Sequence, residues 1–177
     1  MKKVFIDGSA GTTGLRIFDR LHRRTDIQLL TLPESERKLE ASRKKMLNEA
    51  DVVFLCLPDD AACEAALWVE NPDTVVLDTS TAHRTAPGWC YGSTELSPVQ
   101  EARLRQAKRI AVPGCHASGF IALVYPLVSA GLLTPDALLS CYSLTGYSGG
   151  GKKMIAEYRA PERSFLLNAP RQYALGQ

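Results

Sequence analysis

Lys3-Val4-Phe5-Ile6-Asp7-Gly8-Ser9-Ala10-Gly11-Thr12-Thr13-Gly14 is the stretch whose reading decides the fold. Lys3 to Ile6 is a short β-rich apolar run closed by Asp7, and Leu15, Ile17, Phe18 and Leu21 follow at spacings that suit one face of a helix. Strand, glycine loop and helix are therefore predicted in that order. Glycines let backbone N–H groups approach a pyrophosphate, and the start of a helix adds a favourable dipole. The spacing is G-x-x-G-x-x-G instead of the commoner G-x-G-x-x-G, but the physical logic is the same. Gly8, Gly11, Thr12, Thr13 and Gly14 are the candidate cofactor-binding residues, the two threonines adding hydroxyl donors; a plain turn is the alternative.

Outward from this stretch, strand and helix alternate with short links. Ile27 to Leu32 reads as the second strand, and a basic helix runs to about Asn48. Asp51 to Leu57 is a near-continuous apolar strand of the kind buried on both faces in a parallel sheet. Pro58-Asp59 opens a helix through Ala61, Ala65, Ala66 and Leu67, with Cys56 and Cys63 read as packing residues. Thr74 to Leu77 is the next strand, a helix from Ser97-Pro98 reaches about Ala107, and Lys108 to Val112 is a further strand. This is the pattern of an α/β, doubly wound (Rossmann) parallel sheet. In such a sheet the loops after the carboxyl ends of the strands line the ligand crevice. Gly8 to Gly14, Pro58-Asp59, Ser80 to Arg84 and Cys115 all fall there.

After the second strand, an NAD site would show an acidic residue for the ribose hydroxyl. Here the chain reads Pro33-Glu34-Ser35-Glu36-Arg37-Lys38, where Ser35, Arg37 and Lys38 suit a 2′-phosphate and hence NADP(H). Glu34 and Glu36 in the same turn argue the other way, and Ser35 also suits a helix N-cap.

Val112-Pro113-Gly114-Cys115-His116-Ala117-Ser118-Gly119 reads as strand, tight turn and helix, with Cys115 at the first helical position. A helix N-terminus favours a thiolate over a thiol, and the thiolate is the nucleophile. A buried, inert cysteine is the alternative. The helix carries Pro126, which should kink or interrupt it. Leu138 to Thr145 resembles a strand, and Gly146-Tyr147-Ser148-Gly149-Gly150-Gly151-Lys152-Lys153 reads either as a flexible loop or as a backbone cradle for an anion. Ala160 to Gln177 offers no clear regular element.

The chain has 177 residues, with Lys+Arg 21 against Asp+Glu 19 and a formal net charge of +2, too balanced for a nucleic-acid surface. Five scattered cysteines show no zinc-ligand spacing, so no metal is expected, and free thiols fit a cytoplasmic protein. The N-terminal apolar run is too short for a signal peptide, and the apolar stretch Phe120 to Leu133 is too short for a membrane span.

Five motifs in one order, GSAGTTG at 8–14, DTSTAHR at 78–84, YGSTEL at 91–96, VPGCHASGF at 112–120 and SLTGYSGGGKK at 143–153, resemble the N-acetyl-γ-glutamyl-phosphate reductases, type 2 form. That family belongs to the aspartate-semialdehyde and glyceraldehyde-phosphate dehydrogenase-like superfamily. The resemblance implies an NADP-binding domain over 1–114 and the N-terminal part of an α+β catalytic domain over 115–177. It implies NADPH-dependent reduction of an acyl phosphate to an aldehyde, in arginine biosynthesis, through a thioester on Cys115. It further implies a cofactor contact at Ser80, and substrate contacts at Arg84, Ser148 and Gly149 with Lys152 or Lys153 nearby. For Arg84 a surface ion pair is the alternative. A homo-oligomer is expected, since members of the superfamily commonly associate.

Two departures stand out. Thr94 precedes Glu95-Leu96 where the family has proline. The family's catalytic histidine lies beyond the stretch matching Arg171 to Gly176, and His22, His83 and His116 do not align with it. The chain is accordingly expected to be a C-terminally truncated form, either still a reductase or a nucleotide-binding module without turnover. A related reductase acting on aspartyl or aminoadipyl phosphate is the remaining alternative.

Overall fold

The computed structural model describes residues 1–168. Six strands form one sheet: β1 (Lys2–Asp7), β2 (Ile27–Leu30), β3 (Val52–Leu55), β4 (Val75–Asp78), β5 (Cys90–Tyr91) and β6 (Arg109–Ala111). Their order is β2-β1-β3-β4-β6-β5, and every pairing is parallel. Val4 sits between Leu29 and Val52, Val53 opposite Val76, and Leu77 opposite Ile110. The helices are α1 (Thr12–Leu21), α2 (Glu40–Glu49), α3 (Asp59–Leu67), α4 (Pro98–Gln106), α5 (Cys115–Ser129) and α6 (Gly151–Arg159).

Because β1 has β2 on one side and β3 on the other, the winding reverses at β1. The crevice of a doubly wound sheet opens at that reversal, outside the carboxyl ends of the strands. Strands buried on both faces explain the continuous apolar runs. Val4, Phe5 and Ile6 of β1, Val53 and Leu55 of β3, and Val76 of β4 are all buried. Leu47, Ala50, Ala65 and Val69 complete the main core cluster, with the α3 alanines letting that helix pack closely.

The chain divides into two compact units, Met1–Leu133 and Thr134–Gln177. Four differences from the sequence reading appear. Leu138 to Thr145 is not a strand, since an apolar stretch needs a pairing partner to become one. The glycine run 146–153 is a one-turn 3-10 helix at Tyr147–Gly150 followed by the start of α6, in which Gly151 takes φ 71°. Strand β5 is only two residues long, too short to show periodicity. Helix α5 runs through Pro126 and closes after Ser129 with a Schellman turn, Leu132 N donating to Leu127 O (2.9 Å) and Gly131 N to Val128 O (3.0 Å). No helix among the described residues is long and apolar enough to cross a membrane.

Candidate active site

The glycine loop lies where the winding reverses. Gly8 follows β1 with φ 83°, and a Cβ there would run into the carbonyl oxygen of Cys56 at the end of β3. A Cβ on Gly14 would strike Gly8 O and lie 2.8 Å from Ser9 Cα. Gly11 N donates to Gly8 O (2.9 Å), folding the loop back on itself. Gly11 is also the N-cap of α1 and offers no side-chain cap, so the first N–H groups of α1 face the loop's open side. The loop packs so closely on itself and on the end of β3 that no side chain fits at 8 or 14, which leaves bare backbone of the kind that suits a pyrophosphate.

Beneath it, Asp7 is buried and held by Arg43 of α2, whose Nε lies 3.2 and 3.1 Å from the two carboxylate oxygens and whose Nη2 lies 2.9 Å from Oδ2. The same guanidinium stacks over Trp68, 4.7 Å from the ring centroid. Both charges are desolvated, so the bidentate geometry and the ring together hold β1 against α2.

Past β2, Glu34–Glu36 forms one turn of 3-10 helix. Ser35, Arg37 and Lys38 are exposed, and Ser35 is within that turn and not an α2 N-cap, which is Leu39. Glu36 is turned away by Ser42 of α2, whose hydroxyl donates to its Oε2 at 2.9 Å. Arg37 Nε reaches only the Leu32 carbonyl oxygen, at 3.5 Å. Of the two acidic side chains that argued against a 2′-phosphate, Glu36 is thereby occupied and Glu34 is exposed, and the two basic ones are not paired with carboxylates among the described residues.

At the other end of the crevice β4 delivers the loop 79–84. Asp78 is wholly buried, and its carboxylate accepts from Ser80 N (2.9 Å), Ser80 Oγ (2.6 Å) and His83 Nδ1 (2.6 Å). The Ser80 hydroxyl also accepts from Ala82 N at 3.2 Å, its own proton being committed to Asp78. The His83 ring stacks on Trp89, centroids 3.9 Å apart. Across the loop, Asp59 at the first position of α3 accepts from Thr81 N (2.9 Å) and from the Thr81 hydroxyl. Those two donors hold the Asp59 carboxyl below its ordinary range.

Arg84 then reaches the turn that β6 delivers. Its Nε donates to Val112 O at 3.3 Å. A Cβ on Gly114 would lie 2.6 Å from Nη1, 2.8 Å from Cζ and 2.9 Å from Nη2, so the guanidinium lies directly over Gly114. Gly114 is the N-cap of α5 without a side-chain cap, and the next residue is Cys115, exposed. The guanidinium therefore lies at the uncapped start of the helix, over the residue that precedes the thiol. A carbonyl carbon attacked by such a thiol develops negative charge on oxygen, which N–H groups and a cation stabilise.

Cys56 lies beneath the glycine loop, and burial pushes its thiol up to about 11, only partly opposed by a hydrogen bond with Thr79. Cys63 is exposed, contrary to its reading as a packing residue, because the packing face of α3 is carried by Ala62 and Ala65. In the second unit, Ser148 and Gly149 lie exposed in the 3-10 turn, and Lys152 and Lys153 are exposed in the first turn of α6. Arg171 to Gly176 lies outside the described residues. The roles of Asp7, Asp59, Asp78 and His83 were missed from sequence. The available signal was an aspartate ending each of two buried strands, Phe5-Ile6-Asp7 and Val76-Leu77-Asp78.

Comparison with known proteins matches residues 3–104 to the family model for the semialdehyde dehydrogenase NAD-binding domain, and 115–177 to that for the semialdehyde dehydrogenase dimerisation domain. The chain is 51% identical over 158 residues to N-acetyl-gamma-glutamyl-phosphate reductase 2 of Pseudomonas putida, covering 89% of this chain and 50% of that protein. It is 47% identical over 169 residues to the N-acetyl-gamma-glutamyl-phosphate reductase of Rhizobium meliloti, covering 95% and 54%. The chain thus spans about half the length of the curated relatives it matches. Among solved structures, aspartate semialdehyde dehydrogenase II of Vibrio cholerae superposes with a TM-score of 0.67 at 16% identity, covering 100% of this chain and 56% of that one. Aspartate semialdehyde dehydrogenase with NADP from Candida albicans gives 0.52 at 21% identity, covering 73% and 47%. At such identities the structures bear on the fold alone.

Proposed function

We propose, from the premise that this chain belongs to the semialdehyde dehydrogenase family, that it carries the cofactor site and the nucleophile of an NADPH-dependent N-acetyl-γ-glutamyl-phosphate reductase. The observation that carries this reading is the Arg84 guanidinium lying over Gly114, one residue before Cys115. The names of the relatives at about half identity point to the same substrate in preference to aspartyl or aminoadipyl phosphate.

In this reading Cys115 Sγ attacks the acyl carbon, the bond to phosphate oxygen breaks, and a thioester forms on the cysteine. The N–H groups at the start of α5 stabilise the oxyanion, and Arg84 holds the departing phosphate as a bidentate partner. NADPH, when bound, supplies the hydride that turns the thioester into an aldehyde and restores the thiol. Gly8, Gly11, Thr12, Thr13 and Gly14 hold its pyrophosphate, Ser35, Arg37 and Lys38 its 2′-phosphate, and Ser80 lies along the same crevice. The description of the first family model, an NAD-binding domain, supports a nicotinamide cofactor. Ser148 and Gly149 are assigned to the substrate, and residues 1–114 and 115–177 to the cofactor and catalytic domains. The description of the second family model supports a homo-oligomer, and the protein is assigned to the cytoplasm.

The reaction run in reverse tests the proposal. The purified chain is incubated with N-acetylglutamate semialdehyde, phosphate and NADP, and NADPH absorbance is followed. Turnover lost in Cys115→Ala is the expected result. NADP binding without turnover would leave the chain a nucleotide-binding module.

A further inference from the structure

We infer that Asp78, His83 and Asp59 are positioning residues that hold Arg84 over Gly114, so that the anion seat beside Cys115 is formed before any ligand arrives. The inference rests on the reading of Arg84 as the anion anchor and adds what makes it one.

An arginine side chain has many rotamers, and a clamp built from it is effective only if its rotamer is fixed beforehand. Arg84 lies in a loop, where such fixing must come from its neighbours. Three of the five preceding residues are pinned. Ser80 and His83 are tied to the one buried Asp78 carboxylate by contacts of 2.9, 2.6 and 2.6 Å. Thr81 is tied by backbone N–H and hydroxyl to Asp59. The carboxylates belong to the last residue of β4 and the first of α3, so the loop is anchored to two rigid elements. Trp89 stacking closes the far side of His83. Arg84 N then donates to Thr81 O (3.4 Å), and its Nε to Val112 O (3.3 Å).

The acceptors are distributed in a way a purely structural network would not need. Asp59 and Asp78 accept from the loop's hydroxyls, imidazole and N–H groups, and neither pairs with Arg84, for which no ion pair exists among the described residues. The loop is held by negative charge while its one guanidinium, which Asp59 senses through space without a direct contact, lies over Gly114.

The test reads local charge at the thiol instead of activity. Cys115 in the 177-residue chain is alkylated with iodoacetate, an anion, and with neutral iodoacetamide, each thiol being followed by peptide mass. Both reagents consume the thiolate, so their rate ratio cancels its population and reports the nearby cation. Arg84→Gln is expected to lower the ratio about threefold at low salt. Thr81→Val with His83→Phe, which keeps the shape and the stacking ring but removes two donors, is expected to lower it nearly as much with Arg84 still present. His83→Asn with Thr81 intact, which returns an N–H donor toward Asp78, is expected to restore most of the ratio. A loss in Arg84→Gln with an unchanged ratio in the double variant overturns the positioning role and leaves the anion reading standing. An unchanged ratio in Arg84→Gln overturns both. Should the double variant not fold, as judged by circular dichroism, the single change Thr81→Val decides: a fall of about twofold supports the inference and no change overturns it.

Discussion

Every buried position of the described chain lies between Val4 and Ala111, whereas α5, the most apolar helix of the molecule, buries none of its fifteen residues. The two regions differ in what covers them and not in their apolar content. β1, β3 and β4 are hydrogen-bonded on both sides and packed on both faces, so each apolar side chain meets another. Leu123 is 75% exposed and Leu132 74%. A helix apolar on all sides has the composition of a core element, yet among the described residues this one is only half-buried along one stripe, Ala117, Ile121, Val124 and Val128. The catalytic cysteine of the proposal sits at the junction, on the first turn of this helix but fastened through Gly114 and Arg84 to the covered sheet.

The largest effect should come from breaking a charge pair inside the covered region. Arg43→Met leaves Asp7 buried and alone, and should cost about 3–5 kcal/mol in urea denaturation. Arg105→Met, which removes an exposed i,i+4 pair with Glu101, should cost less than about 0.5 kcal/mol. Equal effects would show that burial does not separate the two. Next, Leu55→Ala in β3 should cost about 2–5 kcal/mol, against about 0.5 kcal/mol or less for Leu123→Ala in α5. Gly8→Ala combines a φ of 83° with a collision against Cys56 O, and should cost about 1–3 kcal/mol while abolishing NADPH fluorescence enhancement.

Smaller effects sharpen the comparison at the thiols and the loop. Cys56, with its thiol at about 11, should be alkylated more slowly than Cys115 at pH 7, and peptide mass mapping reads the order directly. The smallest change concerns Asp59. Its folded carboxyl titrates below its ordinary 3.8 because Thr81 donates to the charged form. The stabilisation is therefore present above pH 3.8 and is lost as pH falls through the lower folded value. In a Trp68→Phe background, Trp89 fluorescence should report loosening of the loop in that acidic range, and Asp59→Asn should flatten the response.

Much of the covered region was legible because its forces are local or periodic. The runs around Phe5, Val53 and Val76 marked strands buried on both faces, and the glycines marked the loop between β1 and α1. Ser97 with Pro98 marked the start of α4, where Ser97 Oγ accepts from Gln100 N at 3.1 Å. Reading weakened where an element depends on a distant partner. Cys90–Tyr91 is a strand only because β6 lies beside it, and Leu138 to Thr145 has strand-like residues with no neighbour to pair with. At 146–153 the glycines suggested a loop, but Lys152, Met154, Ala156 and Glu157 are good helix formers and α6 begins within the run.

For the site the division is sharper. Sequence alone determined the cysteine after a Pro-Gly turn, the glycine loop and the basic cluster at Arg37-Lys38, because each is a short contiguous pattern with its own conformational or charge preference. Only the tertiary structure decided that His83 belongs to Asp78, that Asp59 holds Thr81, that Ser42 occupies Glu36, and that Arg84 lies over Gly114. Those pairings join residues from different elements, and a hydrogen bond or ion pair depends on distances that a one-dimensional order does not contain.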